Sequence, residues 1–323
     1  MRGARITGWG LALPEKVVTN ADFEARLDTT DEWIVDRTGI KERRYGGTTS
    51  SLAIEAAGKA LARAGRNGAD IDLLVLATTT PDRTVPATSS WVHHQLGCRG
   101  AAFDLNAACA GFVYGLVTAV ALLDSGHDRV LLIGSDTLSQ YTDQDDRSTA
   151  VLFGDGAGAI VVEAVGDDPL ILAQDLGLDG SLTPILRCDR GGLIYMEGRE
   201  VFRSAVRATV ESAERVLNKA HVAPEDIALF VPHQANIRIV DAMGQRLGID
   251  PSRYAICLDH TGNTSAASCG IALGEAADAG RLTEGDLILF SGFGAGMTWA
   301  SAVVRWGGAP TPPSGQRQRG AAR

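Results

Sequence analysis

The chain has 323 residues, room for about two ordinary domains, and its 45% hydrophobic and 21% charged residues exclude a disordered or collagen-like protein. A formal net charge of −9 argues against a general nucleic-acid binder, which needs a basic surface, but leaves room for a local arginine cluster facing small anions. Five cysteines without a CxxC pair suggest neither a disulfide framework nor a metal site, and no apolar run reaches membrane-span length, so a reduced, cytoplasmic protein without a membrane segment is expected.

The opening MRGARITGWGLALPEK is broken by Gly and Pro and makes a poor signal peptide. Residues 51–79 then read as an amphipathic helix, a polar turn and an apolar strand, and residues 206–234 repeat the pattern. A shift of 156 positions lays Leu61 on Leu217, Ala64 on Ala220, Asp70 on Asp226, Leu73 on Leu229 and Val75 on Val231. About the same shift sets AFDLNAACAGF (102–112) beside CLDHTGNTSAAS (257–268), and two glycine-rich turns entering strands, at 151–164 and 288–304, form a third pair. Three matches in one order imply an α/β chain duplicated from one unit: an N-terminal half at 1–165, a C-terminal half at 166–306, and a loose Pro/Gly/Arg-rich tail at 307–323.

Cys109 follows a strand-like FDL and precedes a long apolar helical run, which sets its sulfur at or near a helix N-terminus. The positive end of the helix dipole there favours a thiolate and lowers the thiol pKa. The competing reading is an inert buried cysteine, as is kept for Cys98, Cys188, Cys257 and Cys269. His233 follows an apolar strand ended by Pro232, where α/β proteins present ligand-facing groups, although a hydrogen-bonded loop histidine fits too; His260 is its nearest rival. Asn263 occupies nearly the place in the second half that the Cys109 segment occupies in the first. It offers a non-titrating amide donor, or merely a helix cap. FGDGAG and GFGAGM are G-x-G-x-G, not G-x-G-x-x-G, and neither opens a βαβ unit, so a dinucleotide site is rejected.

TNADFEARLDTTDEWIVDRTGIKERR (19–44), AACAGF around Cys109, DDRSTAVLFGDGAG (145–158), VPHQANIRI (231–239), TGNTSAAS (261–268) and GFGAGMTWAS (292–301) together resemble the ketoacyl-synthase III family over residues 1 to about 306. That resemblance implies a thiolase-like five-layered αβαβα duplication working as a homodimer. It also implies decarboxylative condensation of an acyl-CoA primer with malonyl-acyl carrier protein, starting fatty-acid or polyketide synthesis, with acyl-CoA as substrate and no cofactor. Carried over, the catalytic residues are Cys109, His233 and Asn263, with the backbone N–H groups of Cys109 and Ala295 as oxyanion hole. CoA binding falls to Thr29, Trp33, Arg37, Arg147 and Asn236, the acyl pocket to Val85, Leu138 and Phe153, and carrier docking to Arg203, Arg238 and Arg246, with Lys219 read rather as a solvated surface residue.

Val85 stands where relatives place a residue that reaches across the dimer to close the partner's acyl pocket. Val is smaller than the Phe of acetyl-preferring relatives, which predicts a primer larger than acetyl. Met297 for a commoner Phe, Ala295 for a commoner Gly, and a shorter 165–200 segment also depart from the family pattern. The alternatives are acyl transfer without condensation, a cysteine hydrolase suggested by A-x-C-x-G, and a non-catalytic partner subunit, which would have no use for the thiol.

Overall fold

The computed structural model describes residues 2–307, so all of the expected tail but Gly307 lies outside the described residues. Nine strands build two sheets: β1 (Ala4–Ala12), β2 (Leu73–Ala77), β3 (Ala101–Leu105), β4 (Arg129–Thr137) and β5 (Asp155–Ala164) in the first, β6 (Ile171–Leu178), β7 (Ile227–Pro232), β8 (Leu287–Gly294) and β9 (Thr298–Arg305) in the second. In space the first sheet runs β1-β5-β4-β2-β3 and the second β6-β9-β8-β7. The leading four strands of each match in order and direction: two antiparallel pairings, then a parallel one. Where the first sheet adds β3 as a fifth strand, the second keeps a single bridge from Phe230 to Tyr254. The duplication read from the sequence is thus written into the hydrogen bonding.

Six helices matter for the site: α1 (Asp31–Thr38), α2 (Thr49–Ala64), α3 (Gly111–Asp124), α4 (Gly198–Ala220), α5 (Ile237–Leu247) and α6 (Ala267–Asp278). Thr48 accepts the Ser51 N–H to start α2, and Gly65, at a φ of 65°, ends it in the left-handed conformation that glycine adopts without penalty. The second-half helix starts earlier than its sequence repeat, at Gly198. Its buried stripe extends back through Ala205 to Val201, and Glu200 suits the positive end of its dipole.

Strands buried on both faces explain the unbroken apolar runs; β2 has no exposed residue. One apolar cluster joins α2 to the outer face of the first sheet, another joins α4 and α5 to the outer face of the second, and a third threads α3 and α6 between the sheets. Phe112 of α3 packs on Phe290 of β8, ring centroids 6.3 Å apart. At Gly158 a Cβ would sit 2.5 Å from the Gly270 carbonyl carbon, so glycine is what lets α6 lie flat on the first sheet. The layers therefore run α, β, α, β, α, and the two halves share one core. Among the described residues no helix is long and apolar enough to cross a membrane, and no group of three or more potential ligands could hold a metal ion.

Candidate active site

The N-terminal ends of α3 and α6 and the carboxyl ends of β7 and β8 converge on a cavity of about 1220 Å³, lined by Cys109, His233, Asn263 and Ala295 together with Leu138 and Phe153. Each segment is held by local bonding. Cys109 lies just before α3, whose cap is Ala110, and the preceding Ala108 takes a φ of 49° while its N–H bonds Asn106 Oδ1 at 3.1 Å. In the second half Ser265, at a φ of 51°, leads into α6. Both turns carry a non-glycine residue in the left-handed region, a conformation held only where the surroundings enforce it. Gly294 closes the site from β8: a Cβ there would lie 2.4 Å from the Cys109 nitrogen, and this contact brings the Ala295 peptide alongside Cys109.

The charge states differ from the sequence expectation. Cys109 stands outside the helix, and burial pushes its thiol up to about 12 against a helix-terminus effect that would lower it. Burial likewise drives His233 down to about 3, with no opposite charge beside it to hold a proton on the ring. His233 Nδ1 lies 2.7 Å from Ser268 Oγ, and the ring meets Phe293 edge-on at 5.2 Å. Asn263 Oδ1 accepts the Ser265 N–H at 2.9 Å, and its backbone brackets Phe153 through bonds to Leu152 and Gly154. Asn263 and His233 both line the cavity, and among the described residues their side chains are hydrogen-bonded through Oδ1 and Nδ1 and not through Nδ2 and Nε2. His260 is no rival: it lies off the cavity between Asp259 and Glu275, each at 2.9 Å.

At the cavity mouth Trp33 lies under two guanidinium groups, Arg37 at 4.5 Å and Arg147 at 4.7 Å from its ring centroid. Arg147 also holds the Asp28 carbonyl at 2.6 Å. Thr29, beside it, does not line the cavity, and its hydroxyl is buried without a partner. Asn236 does line it, but its carboxamide is committed at both ends, donating to the Arg37 carbonyl at 2.9 Å and accepting the Arg238 N–H at 2.9 Å. Arg238, at the mouth, is paired with Asp36 at 2.7 Å. Arg203 pairs with Glu200 and Arg246 is exposed; neither reaches the cavity lining. Val85 is 81% exposed and lies outside the cavity of its own chain.

Sequence reasoning missed the support beneath the site. Asp136, buried at the end of β4, accepts from the Thr78, Thr79 and Thr80 hydroxyls, the Thr79 and Thr80 N–H groups, and the Ala266 N–H of the other half. Desolvation raises its pKa. An acidic residue inside the apolar strand RVLLIGSDT was the available signal. Arg43 is likewise buried, donating to Asn20 Oδ1 at 2.7 Å and to the Val151 carbonyl, with its charge over the Phe23 ring.

Comparison with known proteins accords with this geometry. Two family models match, 3-oxoacyl-[acyl-carrier-protein (ACP)] synthase III at residues 103–180 and its C-terminal part at residues 217–306. The chain is 47% identical to the beta-ketoacyl-[acyl-carrier-protein] synthase III of Roseiflexus sp. (strain RS-1), over 94% of this chain and 98% of that one. The crystal structure of 3-oxoacyl-[acyl-carrier-protein] synthase III from Aquifex aeolicus VF5 superposes with a TM-score of 0.92 at 45% identity, covering 94% of this chain and 100% of that one. The priming beta-ketosynthase of the R1128 polyketide pathway gives a TM-score of 0.90 at 36% identity, covering 96% and 98%. The chain belongs to the 3-oxoacyl-[acyl-carrier-protein] synthase III family, with its thiolase-like fold.

Proposed function

We propose, from that membership, that this enzyme condenses an acyl-CoA primer with malonyl-acyl carrier protein, opening fatty-acid or polyketide synthesis, and that Cys109, His233 and Asn263 carry the reaction. The observation behind the assignment is that one thiol, one imidazole and one carboxamide, those of Cys109, His233 and Asn263, line a single cavity. Cys109 sulfur attacks the primer's thioester carbonyl; the new carbon–sulfur bond gives an acyl-enzyme, and the CoA sulfur leaves with the proton that Cys109 gives up. Thiols suit both steps, because sulfur attacks and departs easily. The N–H groups of Cys109 and Ala295 receive the oxyanion that develops.

Malonyl-carrier protein then loses CO2, and His233 and Asn263 stabilise its enolate oxygen as charge builds there, which lowers the barrier rather than merely binding the ground state. The carbanion attacks the acyl-cysteine carbonyl, the carbon–sulfur bond breaks, and Cys109 regains a proton. No step calls on a metal or an organic cofactor. The primer's adenine stacks on Trp33 beside Arg147 and Arg37, and Arg238, Arg246 and Arg203 meet the acidic carrier.

The working unit is a homodimer. β3 is an edge strand of the first sheet, and an unpaired strand edge accepts a partner strand; Val85 and Trp91 are large apolar residues left exposed. Intact-mass measurement after mixing with a panel of acyl-CoAs tests the scheme. One acyl group should add per chain, branched or medium chains best, and Cys109→Ala should abolish the addition. Labelling that survives in Cys109→Ala sinks the assignment, and turnover of acyl-CoA without malonyl-carrier protein would move the enzyme to simple acyl transfer.

A further inference from the structure

We infer that Ser268 fixes the tautomer of His233, leaving the ring proton on Nε2 so that this nitrogen enters the cavity as a hydrogen-bond donor. The inference rests on the assignment of His233 to the enolate oxygen. Ser268, buried in the first turn of α6, has its Oγ 2.7 Å from His233 Nδ1, while the same oxygen accepts the Gln234 N–H at 3.3 Å. A serine hydroxyl has one proton and two lone pairs; with the Gln234 N–H directed at one of the lone pairs, the proton is free to be given to Nδ1, the direction inferred here. Nδ1 takes it only as a bare lone pair, and a neutral imidazole then carries its hydrogen on Nε2. Burial keeps the ring neutral in the resting enzyme.

The opposite tautomer would turn an Nε2 lone pair towards the enolate oxygen and raise the energy of the charge it is meant to stabilise. Phe293, edge-on to the ring, and the backbone bond from the His233 N–H to the Ser291 carbonyl at 2.8 Å hold the imidazole in place, so Ser268 is left to choose between its two nitrogens. Gln234 makes the arrangement rigid: its carboxamide donates to the Pro232 and Ala255 carbonyls and accepts from the Cys257 and Leu258 N–H groups. Ser268 is thus a positioning residue. The turn and helix that present Asn263 also decide what His233 presents.

Two measurements test this. In the wild-type enzyme labelled with 15N-histidine, the His233 resonances should show a protonated Nε2 and an unprotonated, hydrogen-bonded Nδ1; a proton on Nδ1 overturns the inference without any variant. In Ser268→Ala, acylation of Cys109 by acyl-CoA should be unchanged, whereas release of CO2 from malonyl-carrier protein by the pre-acylated enzyme should slow about 10–100-fold, as for loss of a residue that orients a reacting group. The loss should fall on kcat rather than KM, and a second tautomer should become visible. Equal losses in both half-reactions, or none in condensation, overturn the inference. His233→Ala in the same assay separates the two levels: if it condenses normally, the assignment of His233 itself fails, and if it is inactive while Ser268→Ala is normal, only the tautomer role does.

Discussion

Two histidines of one chain are driven in opposite directions by their surroundings, and stability should register both. His233, buried without a counter-charge, falls from 6.5 to about 3, while His260 rises from 6.5 to about 9, chiefly through Glu275 and then Asp259. Between about 3 and 6.5 the unfolded chain binds a proton at residue 233 that the native protein refuses, so acidification through that window favours unfolding. At residue 260 the native protein holds a proton that the unfolded chain has released, so its contribution is complete below 6.5 and lost as pH rises through about 9. Tm measured against pH should therefore fall on both flanks; His233→Asn should flatten the acid limb and His260→Gln the alkaline one, and parallel curves for wild type and variants would refute these charge states. Cys109, His233 and Asn263 were legible because small residues, a strand end and a helix start frame them in sequence. Their charge states were not, because the surroundings of Cys109 include Gly292 and Gly294, which are distant in sequence.

Elements bring these residues together through close backbone approach, and Gly294 is the point where this approach meets Cys109 itself. Its φ of −162° is extended and open to any residue, so the constraint there is space alone, with the Cys109 nitrogen 2.4 Å from where a Cβ would stand. Gly294→Ala should cost about 1–3 kcal/mol, as overpacking does, and slow Cys109 acylation by about 10²-fold through misplacement; a variant that melts and acylates like wild type would remove Gly294 from the machinery. At the mouth, α1 is clasped to the start of α5 by Asn236 and Arg238, beside the Trp33 ring proposed to take the nucleotide. Trp33→Ala should raise KM for acyl-CoA about tenfold, the worth of one stacking contact of about 1–3 kcal/mol, with little change in kcat. The helices and apolar strands were readable from their periodicity, but the clasp was not. It joins Asp36 to Arg238, and ordinary surface charges so far apart in sequence give no sign that they meet.

For the whole molecule, the repeat in sequence carried the architecture: each sheet's first four strands follow one order, and the halves close over a shared middle layer. The acyl-pocket wall proposed at Val85 is not formed within one chain, because Val85 is 81% exposed and does not line its own chain's cavity. If its side chain closes the pocket of a partner subunit, its size sets primer length across the dimer. Val85→Phe should then shift labelling of Cys109 from branched or medium acyl-CoAs towards acetyl-CoA, read by intact mass on the same panel. The trans arrangement has its own signature. In mixed dimers of wild type with a Cys109→Ala/Val85→Phe double variant, only the wild-type chain can be acylated, yet it faces the partner's phenylalanine. A shift of that chain's preference towards acetyl places Val85 in the neighbouring pocket, whereas unaltered preference confines the residue to its own chain and returns primer length to Leu138 and Phe153, which line the cavity directly.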